Sequence, residues 1–200
     1  MMRACGDRAM RKTAAPLKHF PTLGACGLDC GLCPRYYTAG KSRCPGCAGP
    51  GFAAKHPSCS FITCCVKKKG LEVCGQCPEF PCPKFNSAEE YRATESSSYP
   101  PARKILPNLH FIRRCGVAHF VRQQRRRIKL LESMLSGFDD GRTRSFYCRA
   151  AALLDSRVLE GALRAARREV GFSSLDVRAK ANLLRALLNE RADREGIELT

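Results

Sequence analysis

Cysteine offers most of the chemistry in this 200-residue chain. Fourteen occur, and eleven of them lie between Cys26 and Cys82. They fall into four groups: Cys26-x3-Cys30-x2-Cys33, Cys44-x2-Cys47, Cys59-x4-Cys64-Cys65 and Cys74-x2-Cys77-x4-Cys82. Three of the groups contain a Cys-x-x-Cys pair. Two intervening residues let the backbone fold so that both thiolates face one ion, and Pro45-Gly46 between Cys44 and Cys47 supplies the tight angles. Residues 1–25 hold Arg3, Arg8, Arg11, Lys12 and Lys18 but no apolar run of the secretory type. A reducing, cytoplasmic setting is therefore expected, in which such cysteines read as metal ligands rather than as a disulfide framework.

The count leaves the metal open. Eight of the eleven thiols would close two tetrahedral zinc sites, and His56 raises the set to twelve donors, enough for three. Thiolates equally suit an iron–sulfur centre such as a 4Fe–4S cluster, and proline follows Cys33, Cys44, Cys77 and Cys82 as it does beside ferredoxin ligands, although the ferredoxin run itself is absent. Cys26-x3-Cys30-x2-Cys33 also has the spacing of radical SAM enzymes. That family is built on a large β/α barrel, and no alternation of strand and helix patterns follows Cys33. Zinc in closed, structural sites is the first expectation. A four-thiolate zinc site carries about two negative charges, so two of them lower the formal +17 to about +13.

The elements that must position these thiols divide the chain. Residues 1–22 read as a basic, disordered extension. Residues 23–86 form the Cys-rich module, where Gly24, Gly27, Gly31, Pro34, Gly40, Pro45, Gly46, Gly49, Pro50 and Gly51 interrupt every helix. Such a segment offers little aliphatic surface to bury, so metal ions are expected to staple it. From residue 87 to 200 the pattern is helical. Ser87-Ala88-Glu89-Glu90 has the form of a capping box, and Ser96 to Pro101 reads as a linker. Asn108 is expected to cap a short helix ending at Gly116, followed by a longer one to Gly137 with an apolar stripe of Val117, Phe120, Val121, Ile128, Leu131 and Leu135. Further helices are expected from Ser145, from Asp155 or Ser156, and from Asp176 to Glu195, the last burying Val177, Ala181, Leu184, Leu187 and Leu188. The fold class is thus mainly α: an irregular metal-stapled module, with few short strands or helices, packed on a helical bundle.

Arg122, Arg125, Arg126 and Lys129 lie at i, i+3, i+4 and i+7 and share a helix face. On a chain this basic, the strip could bind nucleic acid, against the simpler alternative of a solvated face lacking aromatics for stacking. His110, His119 and Cys115 could meet as a metal site but read better as core or surface residues. Asp139-Asp140-Gly141-Arg142 reads as turn chemistry. No Ser-His-Asp set, carboxylate pair or phosphate-cradling loop is visible, so nothing beyond the metal points to an enzyme. No run of roughly 18 apolar residues exists to span a membrane. A protein partner is the leading expectation.

Ala25-Cys26-Gly27-Leu28-Asp29-Cys30-Gly31-Leu32-Cys33-Pro34-Arg35-Tyr36 resembles a cysteine-rich family of bacteria and archaea catalogued as domain of unknown function 3795. The likeness continues through Cys44-Pro45-Gly46-Cys47, the Cys59 to Cys64 step, Lys69-Gly70-Leu71, Cys74-Gly75-Gln76-Cys77-Pro78-Glu79-Phe80-Pro81-Cys82, Phe138-Asp139-Asp140-Gly141-Arg142 and Ser145-Phe146-Tyr147-Cys148, over about residues 24–198. The resemblance implies metal binding through Cys26, Cys30, Cys33, Cys44, Cys47, Cys59, Cys64, Cys74, Cys77 and Cys82, and no activity. Cys65 departs from that pattern, and adjacent cysteines seldom bind one ion, so it stays off the ligand set. Cys148, on an expected helix, reads as a packed thiol.

Overall fold

A computed structural model describes residues 17–56, 58–85 and 100–199. The Ser87 capping box and residues 96–99 of the linker lie outside the described residues. Among the described residues there is no strand, so the few short strands allowed for the module are replaced by single turns: 3-10 turns at Cys30–Leu32, Pro34–Tyr37, Gly40–Ser42, Phe52–Ala54, Cys74–Gln76 and Pro83–Phe85, and one π-helical segment, Ile62–Lys68. Glycine and proline at these positions stop each turn before a regular ladder can propagate.

After a 3-10 turn at Pro100–Lys104 come five α-helices: α1 (Ile105–Cys115), α2 (Val117–Phe138), α3 (Arg144–Leu153), α4 (Ser156–Arg168) and α5 (Val177–Arg194). Gly116, at φ 84°, separates α1 from α2 as expected. Asp155 caps α4 by accepting from Arg157 N at 2.8 Å, and Asp176 caps α5 by accepting from Ala179 N at 2.7 Å. Three expectations need correction. Asn108 caps nothing, because α1 already begins at Ile105 and its amide is recruited across the molecule, as described below. Gly137 does not stop α2, which runs to Phe138 and yields to the Asp139–Asp140 turn. Val177, at the first position of α5, is 53% exposed rather than buried.

Helices α2 to α5 enclose one core built on Leu131, Met134, Phe138, Tyr147, Leu159 and Leu184. Tyr147 donates its hydroxyl to Phe138 O and Ala181 O at 3.2 and 3.3 Å, tying three helices. The module has a core too, but a shared one. Leu23, Ile62, Val66, Val73, Phe80 and Phe85 close against Leu109 and Ile112 of α1 and Phe120 and Val121 of α2. Conversely, Leu32 of the module sits in the bundle core. No helix among the described residues is long and apolar enough to cross a membrane.

Candidate metal centres

The first group of thiols hangs on the turns following Leu23 and on the Cys44–Cys47 loop. Ala25 N donates to Cys47 Sγ at 3.3 Å, and Cys47 N donates to Pro21 O, so the two segments are locked side by side. Burial pushes the Cys26 thiol up to about 11 against an opposing hydrogen bond from the Leu28 amide, with Cys47 and Cys59 adding like-charge repulsion. Burial likewise raises Cys30 well above the ordinary thiol range, and Cys47, Cys26, Cys33 and Cys44 reinforce it. Cys47 is raised mainly by burial. Cys26, Cys30 and Cys59 thus lie partly buried around the buried Cys47. A bound cation reverses such shifts by stabilising the thiolates. Beside them, Cys44 Sγ stands 3.3 Å from His56 Nε2, whose ring stacks on Phe52.

The second group lines a cavity of about 30 Å³: Cys64, Cys65, Cys74, Cys77 and Cys82 all face it. Cys65 and Cys74 share a hydrogen bond that lowers the former thiol and raises the latter. Cys65 is buried and donates to Leu71 O at 3.6 Å. Lys69 Nζ donates to Cys77 Sγ at 3.3 Å and pairs with Glu79. That exposed lysine is raised by its hydrogen bonds to Glu79 and then to Cys77. Arg113 of α1 donates to Phe80 O at 2.6 Å and holds the Cys77–Cys82 loop in place. A single ion fits a space of this size, which exceeds the ~10–15 Å³ that one water needs.

Helix α1 passes close to both groups, and glycine makes the approach feasible. A Cβ on Gly27, beside Cys26, would stand 2.6 Å from Leu109 Cγ, and one on Gly75, beside Cys74, would stand 2.7 Å from Leu109 O. Cys74 N also donates to Ala25 O at 2.9 Å, joining the two loops directly. Among the described residues no three Cys, His, Asp or Glu side chains already stand in metal-ligating geometry. Of the ten expected ligands, Cys64, Cys74, Cys77 and Cys82 line the small cavity, while Cys26, Cys30, Cys33, Cys44, Cys47 and Cys59 belong to the neighbouring loops, with Cys44 beside His56.

Sequence reasoning missed three features. Asp29, between Cys26 and Cys30, is 2% exposed, and the helical half holds its carboxylate. Asn108 Nδ2 donates to Oδ2 at 3.1 Å, Gln124 Nε2 to Oδ1 at 2.9 Å, and Arg127 pairs with Oδ2 at 3.5 Å. Asn108 also donates to Gly27 O at 2.9 Å, and Gln124 to Thr22 O at 2.9 Å. A carboxylate amid apolar loop residues was the available signal. Lys18 is the second: its buried ammonium donates to Glu72 O and pairs with Glu72 Oε1 at 3.4 Å, while Glu72 accepts from Phe20 N at 2.8 Å. This strap fastens residues 18–20 to the loop before Cys74. Cys65 is the third, since adjacency to Cys64 does not keep it out of the second cavity.

Elsewhere the structure distributes the candidates as follows. Arg122, Arg125, Arg126 and Lys129 lie exposed on α2, and Arg126 makes a bidentate pair with Glu160 at 2.9 Å. His110 packs on Phe80 and His119 on Phe111, while Cys115 is exposed, so these three build no site. Asp140 Oδ1 accepts from Arg142 N and Thr143 N at 3.0 and 3.1 Å, which is turn chemistry and holds that carboxyl below its usual range. Cys148 is fully buried in the bundle core, and burial pushes it up to about 12.

Residues 22–87 match the family model described as a protein of unknown function, DUF3795, and this bears out the resemblance for the cysteine-rich module. The helices from residue 100 onward lie outside the matched segment. No curated protein and no solved structure matches the chain.

Proposed function

We propose that this is a metal-binding protein whose cysteine-rich module carries two structural zinc centres and serves an interaction or regulatory role in the cytoplasm. The observation that carries the reading is the small cavity faced by Cys64, Cys65, Cys74, Cys77 and Cys82. It has more thiols than a tetrahedral ion needs and leaves no position for a reacting water, which is the pattern of a structural site. Cys74, Cys77 and Cys82 are the constant ligands there, with the fourth supplied by the Cys64–Cys65 pair. Cys26, Cys30, Cys47 and Cys59 form the other centre, flanked by Cys33, Cys44 and His56. Bound zinc would supply folding free energy on the order of 10 kcal/mol per centre.

The chain's own residues prepare the sites. Asp29 and Lys18 fix the loops, α1 packs on Gly27 and Gly75, and Cys47, Cys65 and Cys74 are buried. Elemental analysis of anaerobically purified protein tests the reading. It predicts a colourless sample with about two zinc ions per chain, and Cys77→Ser should lose one of them. Stoichiometric iron with broad absorption near 400 nm would replace it with the redox alternative.

A further inference from the structure

We propose that the exposed face of α2 and the cavity beside it bind single-stranded nucleic acid, with the phosphate backbone along Arg122, Arg125, Arg126 and Lys129 and one base inside the cavity against Phe111. The inference is independent of the metal centres. Arg122, Arg125 and Lys129 are exposed and make no ion pair among the described residues, although the chain carries a formal +17. At about 1.5 Å of rise per residue, Arg122 and Lys129 lie roughly 10 Å apart along the helix. Arg122, Arg125 and Lys129, unpaired among the described residues, can thus neutralise about three phosphates of a strand laid along the helix.

The strip lacks stacking aromatics in the sequence, but the fold supplies one. Arg126, held by Glu160, belongs both to the stripe and to the wall of a cavity of about 790 Å³, a volume in the range of small-molecule sites. Phe111 forms another part of the wall, with His119 edge-on at 5.4 Å and Phe120 at 6.2 Å fixing its ring. Lys104, Arg126, Arg127 and Arg157 line the cavity; with Arg126 held by Glu160 and Arg127 by Asp29, the remaining two cations are matched by Asp155 and Glu195. That balance of donors and acceptors suits the edge of a base, while the unbalanced cations of the stripe suit the phosphates. A base paired in a duplex cannot enter such a cavity, which sets the preference for single strands.

Anisotropy titrations of the full chain with labelled oligo(U), oligo(dT) and a duplex of about ten nucleotides, at about 50 and 200 mM salt, test the proposal. The single strands should bind, with log affinity falling against log salt at a slope of about −2. R122E/R125E/K129E should weaken binding at least about tenfold, whereas the charge-matched R167E/R168E/R178E should change it by less than about twofold. A 2-aminopurine base in the strand should be quenched on binding, and Phe111→Leu should remove the quench with helicity unchanged. Tighter binding of either oligo(U) or oligo(dT) supports the site and identifies the nucleic acid. No binding at low salt, equal losses in both triple variants, or a duplex bound as tightly as the single strands without quench overturns it.

Discussion

In the bundle, Leu131, Met134, Phe138, Leu159, Leu184 and Leu188 recur at helical spacing and meet in one cluster. In the module, the buried side chains sit between short turns and complete a core only by packing on Leu109 and Ile112 of α1. The difference shows what each region asks of its sequence. Helices align their own backbone groups and present a continuous apolar stripe, so burial suffices. The module, broken by glycine and proline, needs long-range ties: the shared face of α1, the Asp29 clamp, the Lys18–Glu72 strap and, on our reading, thiolate-bound ions. The expectation that it lacks aliphatic surface is therefore only partly right. It has an apolar core, but not one that it can close by itself.

Substitutions at the shared helix should break the comparison most strongly. Leu109→Ala should cost about 2–5 kcal/mol and release metal from the module, because Leu109 abuts Gly27 and Gly75. Leu159→Ala, wholly within the bundle core, should cost a similar amount in the denaturant midpoint but leave the metal content of the folded protein unchanged. Asp29→Asn comes next. It removes a carboxylate that accepts from three side chains of the helical half, at about 1–3 kcal/mol, and should speed zinc transfer to a chelator without altering helicity. Asp176→Ala, which deletes the cap of α5, should lower stability by about 1 kcal/mol and leave chelator kinetics unaffected. Equal effects of Leu109→Ala and Leu159→Ala on metal retention would erase the distinction between the two regions.

The bundle was legible in the sequence because its information is local. Asp155, Asp176, Gly116 and the periodic leucines mark ends and faces within a turn or two. Asn108 misled because its most favourable partners, Gly27 O and Asp29, lie about eighty residues away in sequence, and a buried carboxylate outcompetes the capping role. Val177 misled because the first residue of a helix can point outward whatever its type. For the candidate centres, spacing marked Cys-x-x-Cys pairs but carried no information on which loops lie side by side. That Cys65 turns toward Cys74 and lines a cavity with Cys77 and Cys82 depends on how the chain closes around α1.

Region-resolved hydrogen exchange before and after metal chelation most directly tests the dependence of the module on its ions. The account predicts that amides in residues 23–85 lose protection together when metal is withdrawn, that those of α3 and α4 keep theirs, and that returning zinc restores the pattern. Module amides that stay protected in metal-free protein would contradict it.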